Sequence, residues 1–353
     1  MVKTSQNDWH EAVGAIHLHS NYSDGSLSIP EIARIAEEKK LDFLMFSDHN
    51  TLEPKRLGLE GWYGKVLVLI GCEINDPDDR NHYLAFGIDK EVRKGSEAPE
   101  YVRQVRKMGG FGIIAHPAEK RSFSDAYPPY PWTAWDIDQY DGIEIWNQLS
   151  EWMEGLTRRN ILLRLVHPLR SIRYPAWETL ERWDRANQKR CVVGIGGIDV
   201  HGYCLKILGF IPKEIYPYKV QFRSIRTHFL IEKSINAGVS FKESERLIFS
   251  ALSRARCFVT NSSLGDGRGF RFWALKGKEK YPMGSRLTAG DEIVLNVTAP
   301  LPGFIRLLKD GREIVNRKGK ELEYAITRKG VYRVEIFRKN RGWIYSNPIV
   351  ILE

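Results

Sequence analysis

Residues 17–25, HLHSNYSDG, and residues 47–50, SDHN, decide how this chain is read. His17 and His19 sit two apart after a short apolar run, Val13–Ile16, broken by Gly14. On a strand, residues i and i+2 point to one face, so two imidazoles there can grip a single metal ion. Asp24 follows in a Ser-Asp-Gly turn. Asp48-His49 closes a second apolar run, Phe43–Phe46, and so falls at another strand end.

The arrangement recurs along the chain. Val66–Gly71 runs into Cys72-Glu73, and Asn81-His82 precedes Tyr83–Gly87. Gly112–Ala115 leads to His116-Pro117, Gly142–Ile145 carries Glu144 and ends at Trp146-Asn147, and Val192–Ile198 ends in Asp199-Val200-His201. A lone histidine at a strand end is ordinarily a satisfied core or surface residue. Repetition of one arrangement at successive strands instead describes a metal site at the mouth of a sheet or barrel. Its ligand inventory is six histidines and three carboxylates: His17, His19, Asp24, His49, Glu73, His82, His116, Asp199 and His201. Mixed nitrogen and oxygen donors suit Zn, Mn or Fe, and the lack of a cysteine ligand argues against a purely structural zinc.

Elements alternate through the first 260 residues. Leu27–Lys40 reads as a helix, with Ser28 as N-cap, Pro30 in the first turn and Glu31 three after the cap. Ser96–Met108 and Trp177–Gln188 read as further helices, each preceding a wholly apolar strand. That alternation predicts an α/β fold with a parallel sheet covered by helices. The character changes after residue 262. Residues 261–269, NSSLGDGRG, read as a turn-rich linker. Beyond it lie short alternating segments at 270–275, 292–299, 304–309, 322–326, 331–337 and 349–352. They predict a C-terminal all-β sandwich, antiparallel and immunoglobulin-like in size. The expected domains are 1–262 and 263–353, the second carrying no chemistry.

The chain has 353 residues, 42% of them hydrophobic and 27% charged, which is ordinary for a globular protein. A formal charge of +9 permits an anionic partner, but the basic residues are scattered, so a solvated surface is favoured over nucleic-acid binding. Cys72, Cys191, Cys204 and Cys257 show no C-x-x-C spacing and read as thiols in a reducing compartment. The N-terminal stretch is polar, and no apolar run approaches the length of a membrane span. A cytoplasmic protein with no membrane partner is expected.

The ordered motifs HLHSNYSDG, SDHN, GCEI, NHYLAFG, AHP, EIWN and GIDVHG resemble the PHP superfamily, the polymerase-and-histidinol-phosphatase metallohydrolases. NHYLAFGID, EIWN, ERWD, GIGGIDVHG and FRSIRTHFL are similar to its carbaryl-hydrolase-like branch. The resemblance covers about residues 12–260 and implies a distorted seven-stranded β/α barrel. It also implies two or three divalent ions. His17, His19, Glu73 and Asp199 would hold the first; Glu73 would bridge to a second with His82 and His116; Asp24, His49 and His201 would form a third position. Glu73, Asp199 and His201 are then the candidate catalytic residues, acting with a metal-bound hydroxide.

Other residues stay open on sequence alone. Asp48 is either a support for an imidazole or a turn carboxylate. Glu144 could face the metals or the opposite side, because period-2 alternation cannot be phased from sequence. Asn147, His167 and Arg170 are candidate substrate-binding residues, the last two with Arg173 as an anion pocket. Trp132, Trp135, Trp146 and Trp152 line a substrate pocket or fill the core. His228 matches a motif without a known role. The expected activity is metal-dependent hydrolysis of a small-molecule phosphoester. A carboxylester, carbamate or amide hydrolase is the alternative, and a non-catalytic metal-binding module the second alternative.

Overall fold

The run Val13–Ile16 lies inside β1 (His10–Leu18), which is buried on both faces from Ala12 onward. The computed structural model describes residues 9–123, 125, 128–207, 211–214, 216–289 and 292–353; the polar stretch 1–8 lies outside them. β1 pairs in parallel with β2 (Phe43–Phe46). The short β3 (Gly61–Tyr63) runs antiparallel beside β4 (Val66–Ile70), and β4 is parallel to β2. α1 (Ile29–Glu38) connects β1 to β2 and is shorter than the predicted 27–40. Its Glu31 carboxylate accepts from the Ser28 N–H at 2.9 Å, tying the first turn. Ile29, Ile32, Ala33 and Ala36 face inward, as the i, i+3, i+4 spacing requires. α2 (Glu53–Arg56) is a single turn after β2.

A second sheet holds, in order, β5 (Cys72–Ile74), β6 (Tyr83–Phe86), β7 (Phe111–Ile114), β8 (Gly142–Asn147) and β9 (Val193–Gly197). The expected all-parallel arrangement fails at β6, which is antiparallel to both β5 and β7. Residues 75–82 are too few for a crossover, so the chain must turn back as a hairpin. α3 (Ala98–Lys107) then precedes β7, and α4 (Gln148–Met153), α5 (Ile161–Val166) and α6 (Trp177–Lys189) lie between β8 and β9. Parallel bridges Leu18–Val200 and His49–Glu73 join the two sheets. Asp199 N donates to His17 O at 2.8 Å and Gly71 N to Phe46 O at 2.9 Å. The carboxyl ends of β1, β2, β8 and β9 therefore converge with β5.

After a hairpin of β10 (Cys204–Ile207) and β11 (Ile211–Glu214) come α7 (Tyr218–Gln221), β12 (Ile225–Ile231), α8 (Phe241–Ser253) and β13 (Cys257–Asn261). β12 lies antiparallel between β1 and β13. The C-terminal part is β-rich: β14 (Arg271–Lys276), β15 (Glu279–Pro282), β16 (Arg286–Thr288), β17 (Ile293–Lys309), β18 (Arg312–Ala325), β19 (Gly330–Arg338), β20 (Arg341–Ser346) and β21 (Ile349–Leu352). Two segments predicted separately, 292–299 and 304–309, are one strand, because the Pro-containing stretch between them is absorbed as a register shift between Thr298 and Gly303. One pair, β16 with β21, is parallel where only antiparallel pairing was expected.

The sheet continues across residues 261–269. β13 pairs with β20, so one sheet runs from β1 into the C-terminal strands. Arg333 on β19 donates to both carboxylate oxygens of Asp184 on α6 at 2.6 and 2.8 Å, all buried. Asn347 reaches back to Gly194 O and Cys257 O at 2.8 Å. Trp132, Trp146, Trp152 and Trp183 belong to the main apolar core. Cys72 and Cys257 are buried, whereas Cys191 is exposed. Among the described residues, no helix is long and apolar enough to cross a membrane.

Candidate metal centre

Glu73 is the hub of the site. Its side chain is 1% exposed, and five imidazoles face its two oxygens. Oε2 lies 3.0 Å from His17 Nε2, 3.3 Å from His19 Nε2 and 3.5 Å from His49 Nδ1. Oε1 lies 2.9 Å from His82 Nδ1 and 3.2 Å from His116 Nε2. Asp199 Oδ1 sits 3.5 Å from His17 Nε2 and 3.4 Å from His19 Nε2. Asp24, on the more open side, places Oδ2 3.2 Å from His201 Nε2 and Oδ1 3.7 Å from His19 Nδ1. All nine residues singled out as ligands thus come together in one cluster. Seven of them, all but His17 and His19, line a cleft of about 430 Å³ whose wall includes Arg121, Tyr130 and Tyr203.

The backbone is bent to bring them there. His17, His116 and Asp199 have φ of 66°, 26° and 52°, a region non-glycine residues rarely occupy. Three left-handed residues in one cluster mark strain held by the surrounding structure. The pairing of β1 with β2 shifts register between Ile16 and Leu18, at His17 itself. β8 shifts against β9 between Glu144 and Trp146.

Glu144 resolves to the inner face. It is buried, with Oε1 3.0 Å from His17 Nδ1 and Oε2 accepting from His116 N at 2.7 Å. Gly197 makes this possible: a Cβ there would stand 1.7 Å from Glu144 Oε1. A carboxylate on one imidazole nitrogen leaves the other free as a ligand and fixes the ring. Asn147, the last residue of β8, is buried. Its Nδ2 donates to Glu144 Oε2 at 2.9 Å and to Asp199 Oδ2 at 3.4 Å, while its Oδ1 caps α4. The side chain holds two carboxylates and the start of α4, and it lines a cleft with Glu119, Ser150 and Glu151.

Asp48 holds no imidazole. Its oxygens accept from Ser20 N, Ser20 Oγ and Ser23 Oγ at 2.6–2.7 Å, fixing the turn that carries Asp24. His167 and Arg170 do not line the metal cleft; they line a separate one. His228 is structural, bonded to Glu11 at 2.6 Å and Thr260 at 2.9 Å. Sequence reasoning missed Arg121, Glu119 and Tyr130. The Arg121 guanidinium pairs with buried Glu119 and lies 5.2 Å from the Tyr130 ring centroid. Its Nε is buried without a hydrogen-bond partner among the described residues.

The electrostatics describe a cation-shaped hole. Burial opposes ionisation of Glu73, yet His17, His82 and His49 hold its carboxyl well below the usual range. Asp199 is likewise lowered, by His17 and His19 against its burial. Burial would lower His19 and His82, but carboxylates raise them to about 9 and about 10. His49 goes the other way, to about 4, because burial dominates there. The imidazoles and carboxylates supply each other's counter-charge here, a place that divalent ions would take. The donor set fits divalent ions: four groups of three or four ligand atoms lie within 4.8 Å of one another. They are His19–Asp24–His49–His201, His17–His19–Glu73, His17–His116–Asp199 and His49–Glu73–His82. Both nitrogens of His19, His82 Nε2 and His116 Nδ1 are buried with no hydrogen-bond partner among the described residues. Such orphans are costly unless something binds them.

Residues 15–165 match the PHP domain family. That span contains His17, His19, Asp24, His49, Glu73, His82 and His116; Asp199 and His201 lie beyond it. No curated protein matches the chain in sequence. Among solved structures, it is similar to a two-domain protein from Bacteroides vulgatus containing a predicted PHP-like metal-dependent phosphoesterase. Identity is 15%, coverage 97% of this chain and 96% of that one, and the TM-score 0.46. PsfC from Pseudomonas syringae shares 12% identity over 68% of this chain and 96% of its own, with a TM-score of 0.38. An amidohydrolase from Chromobacterium violaceum with bound sulfate shares 13% over 53% and 87%, with a TM-score of 0.33.

Proposed function

We propose that the chain is a metal-dependent hydrolase of the PHP superfamily that cleaves a small-molecule phosphoester. The observation that carries this reading is the two-sided engagement of Glu73, whose oxygens face five imidazoles in a cleft open to solvent. His17, His19, Glu73 and Asp199 would hold one ion, Glu73 with His82 and His116 a second, and Asp24, His49 and His201 a third. Divalent ions held there would supply an acidified water and neutralise charge on the substrate's oxygens.

The chain's own residues do the rest. Glu144 orients His17 through Nδ1, and Asn147 ties Glu144 to Asp199. Asp199 and His201 line the cleft beside Glu73, and these three are the residues placed to act on a bound water. Arg121 lines the same cleft, and its guanidinium, whose buried Nε has no partner among the described residues, would bind a phosphoryl oxygen. That N–H favours an anionic substrate over a neutral carboxylester, carbamate or amide, which the carbaryl-hydrolase-like motifs support as the second reading. A non-catalytic module is disfavoured because all nine ligand positions are filled and joined. The family resemblance supports a distorted seven-stranded barrel over 1–262, with 263–353 an immunoglobulin-like sandwich bracing it.

Hydrolysis of p-nitrophenyl phosphate, its diester and p-nitrophenyl acetate, with and without added Mn or Zn, tests this. Metal-dependent turnover of a phosphoester, lost in His17→Ala and Asp199→Ala and slowed at least about tenfold in Arg121→Ala, is expected. Turnover of the acetate alone would move the reading to acyl chemistry; full activity in His17→Ala would refute the site.

A further inference from the structure

His167 and Arg170, displaced from the metal centre, converge elsewhere. With Arg223 and Arg341 they line a cleft of about 650 Å³ between α5, the turn after it, α7 and the start of β20. No carboxylate lines it, and none of these four side chains has an ion-pair partner among the described residues. From Gly155 to Trp177 the sequence carries five arginines and no acidic residue. Burial and the neighbouring charges of Arg173 and Arg170 hold the Arg341 guanidinium below its usual range. The carboxylate that acts on Arg341, Glu151, already accepts from Trp146 Nε1 and from the backbone N–H of Arg173 and Tyr174.

The floor of the cleft is aromatic. Trp152 stacks on Tyr216 with centroids 5.0 Å apart and planes 25° off parallel. Trp152 is 5% exposed, and its Nε1 is buried without a hydrogen-bond partner among the described residues. A buried donor left unsatisfied beside uncompensated cations and a flat apolar floor is the signature of a ligand not yet in place. We propose that this cleft is a second binding site, distinct from the metal centre, for an organic phosphate with a planar aromatic body. The guanidinium groups of Arg170, Arg223 and Arg341 receive the phosphate oxygens. The Trp152 ring and N–H receive the body, and the cleft volume suits a nucleotide-sized molecule.

Calorimetric titration of the full chain with phenylphosphonate, whose C–P bond resists hydrolysis, tests this beside inorganic phosphate. Three proteins are compared: unchanged, Arg170→Ala/Arg341→Ala, and His19→Ala. One binding event common to the unchanged and His19→Ala proteins is expected. It weakens at least about tenfold in the arginine variant and is at least about tenfold weaker for inorganic phosphate. Trp152→Phe, which keeps a ring and deletes the donor, weakens the same event several-fold. Circular dichroism confirms that each variant is folded. Absence of the event from the unchanged protein overturns the proposal. So does its loss in His19→Ala but not in the arginine variant, or phosphate binding as tight as phenylphosphonate.

Discussion

Gly197→Ala tests how the centre is assembled, at a position that touches no metal. The backbone of Gly197 is not in the left-handed region, so alanine is conformationally permitted there. Space forbids it. The new methyl would stand 1.7 Å from Glu144 Oε1 and 3.0 Å from His17 Cβ, where ordinary contacts begin at 3.4 Å. The carboxylate must therefore retreat by about 1.7 Å, the difference between those two distances. The His17 Nδ1–Glu144 Oε1 distance of 3.0 Å then exceeds hydrogen-bond reach, because His17 is held on its other side by Glu73. Losing a charge-assisted bond of this kind costs about 1.5–3 kcal/mol, or roughly 10–100-fold in metal affinity. Competition of Zn or Mn against a calibrated chelator measures it, with circular dichroism as the check on folding. Glu144→Gln should cost a similar amount, and the double variant little more than either alone, since both act through one bond. A folded Gly197→Ala protein with unchanged metal affinity would refute the role given to Glu144.

Three further outcomes follow from other parts of the molecule. His82→Ala removes a ligand from the His49–Glu73–His82 group and should lower metal content by one ion per chain while His17 and His19 keep theirs; unchanged content in elemental analysis removes His82 from the set. Asp184→Ala strips the buried Arg333 of its two-oxygen partner, leaving only Glu335 at 2.6 Å, and should destabilise the fold by about 3 kcal/mol in urea titration; a loss under about 1 kcal/mol would contradict it. Burial opposes ionisation of Glu11, but His228, Gly269 N–H and Arg271 hold its carboxyl at about 2 against an ordinary 4.5. A lowered folded value contributes stability above the unfolded pKa and loses it as pH falls toward the folded one. Glu11→Gln should therefore flatten the fall in stability between pH 4.5 and about 2, a contribution on the order of 3 kcal/mol, and parallel curves for the two proteins would refute it.

The strand ends were legible because strands buried on both faces read as apolar runs, and histidines and aspartates at their tips stand out against them. Val66–Ile70 and Phe43–Phe46 are buried throughout, and both were visible. Face assignment was not legible, for a local reason. The register shifts at His17 and after Glu144 break the two-residue period, so no alternation count could have placed Glu144 inward. Asp48 and Asn147 have the composition of site residues, but Asp48 takes its partners from the turn after β1, and Asn147 bonds Glu144 on its own strand, Asp199 and the first turn of α4. Arg121 lies in an irregular loop with no periodicity to mark it, and only its buried, unpartnered Nε reveals it. His167 and Arg170 sit beside α5, none of whose residues is buried, so nothing in the pattern fixed which cleft they face. The C-terminal strands were seen, but β20, which joins them to β13, was not, and with it went the continuity of the sheet.

The central claim, that the nine clustered residues form a multinuclear divalent-metal centre, is tested most directly by elemental analysis. The full chain would be reconstituted with Zn or Mn, exchanged into metal-free buffer and compared with Glu73→Gln. Two or three ions per chain in the unchanged protein, falling by at least one in Glu73→Gln with the fold intact, is the predicted result. No retained metal in the unchanged protein, or equal metal in both, would contradict it.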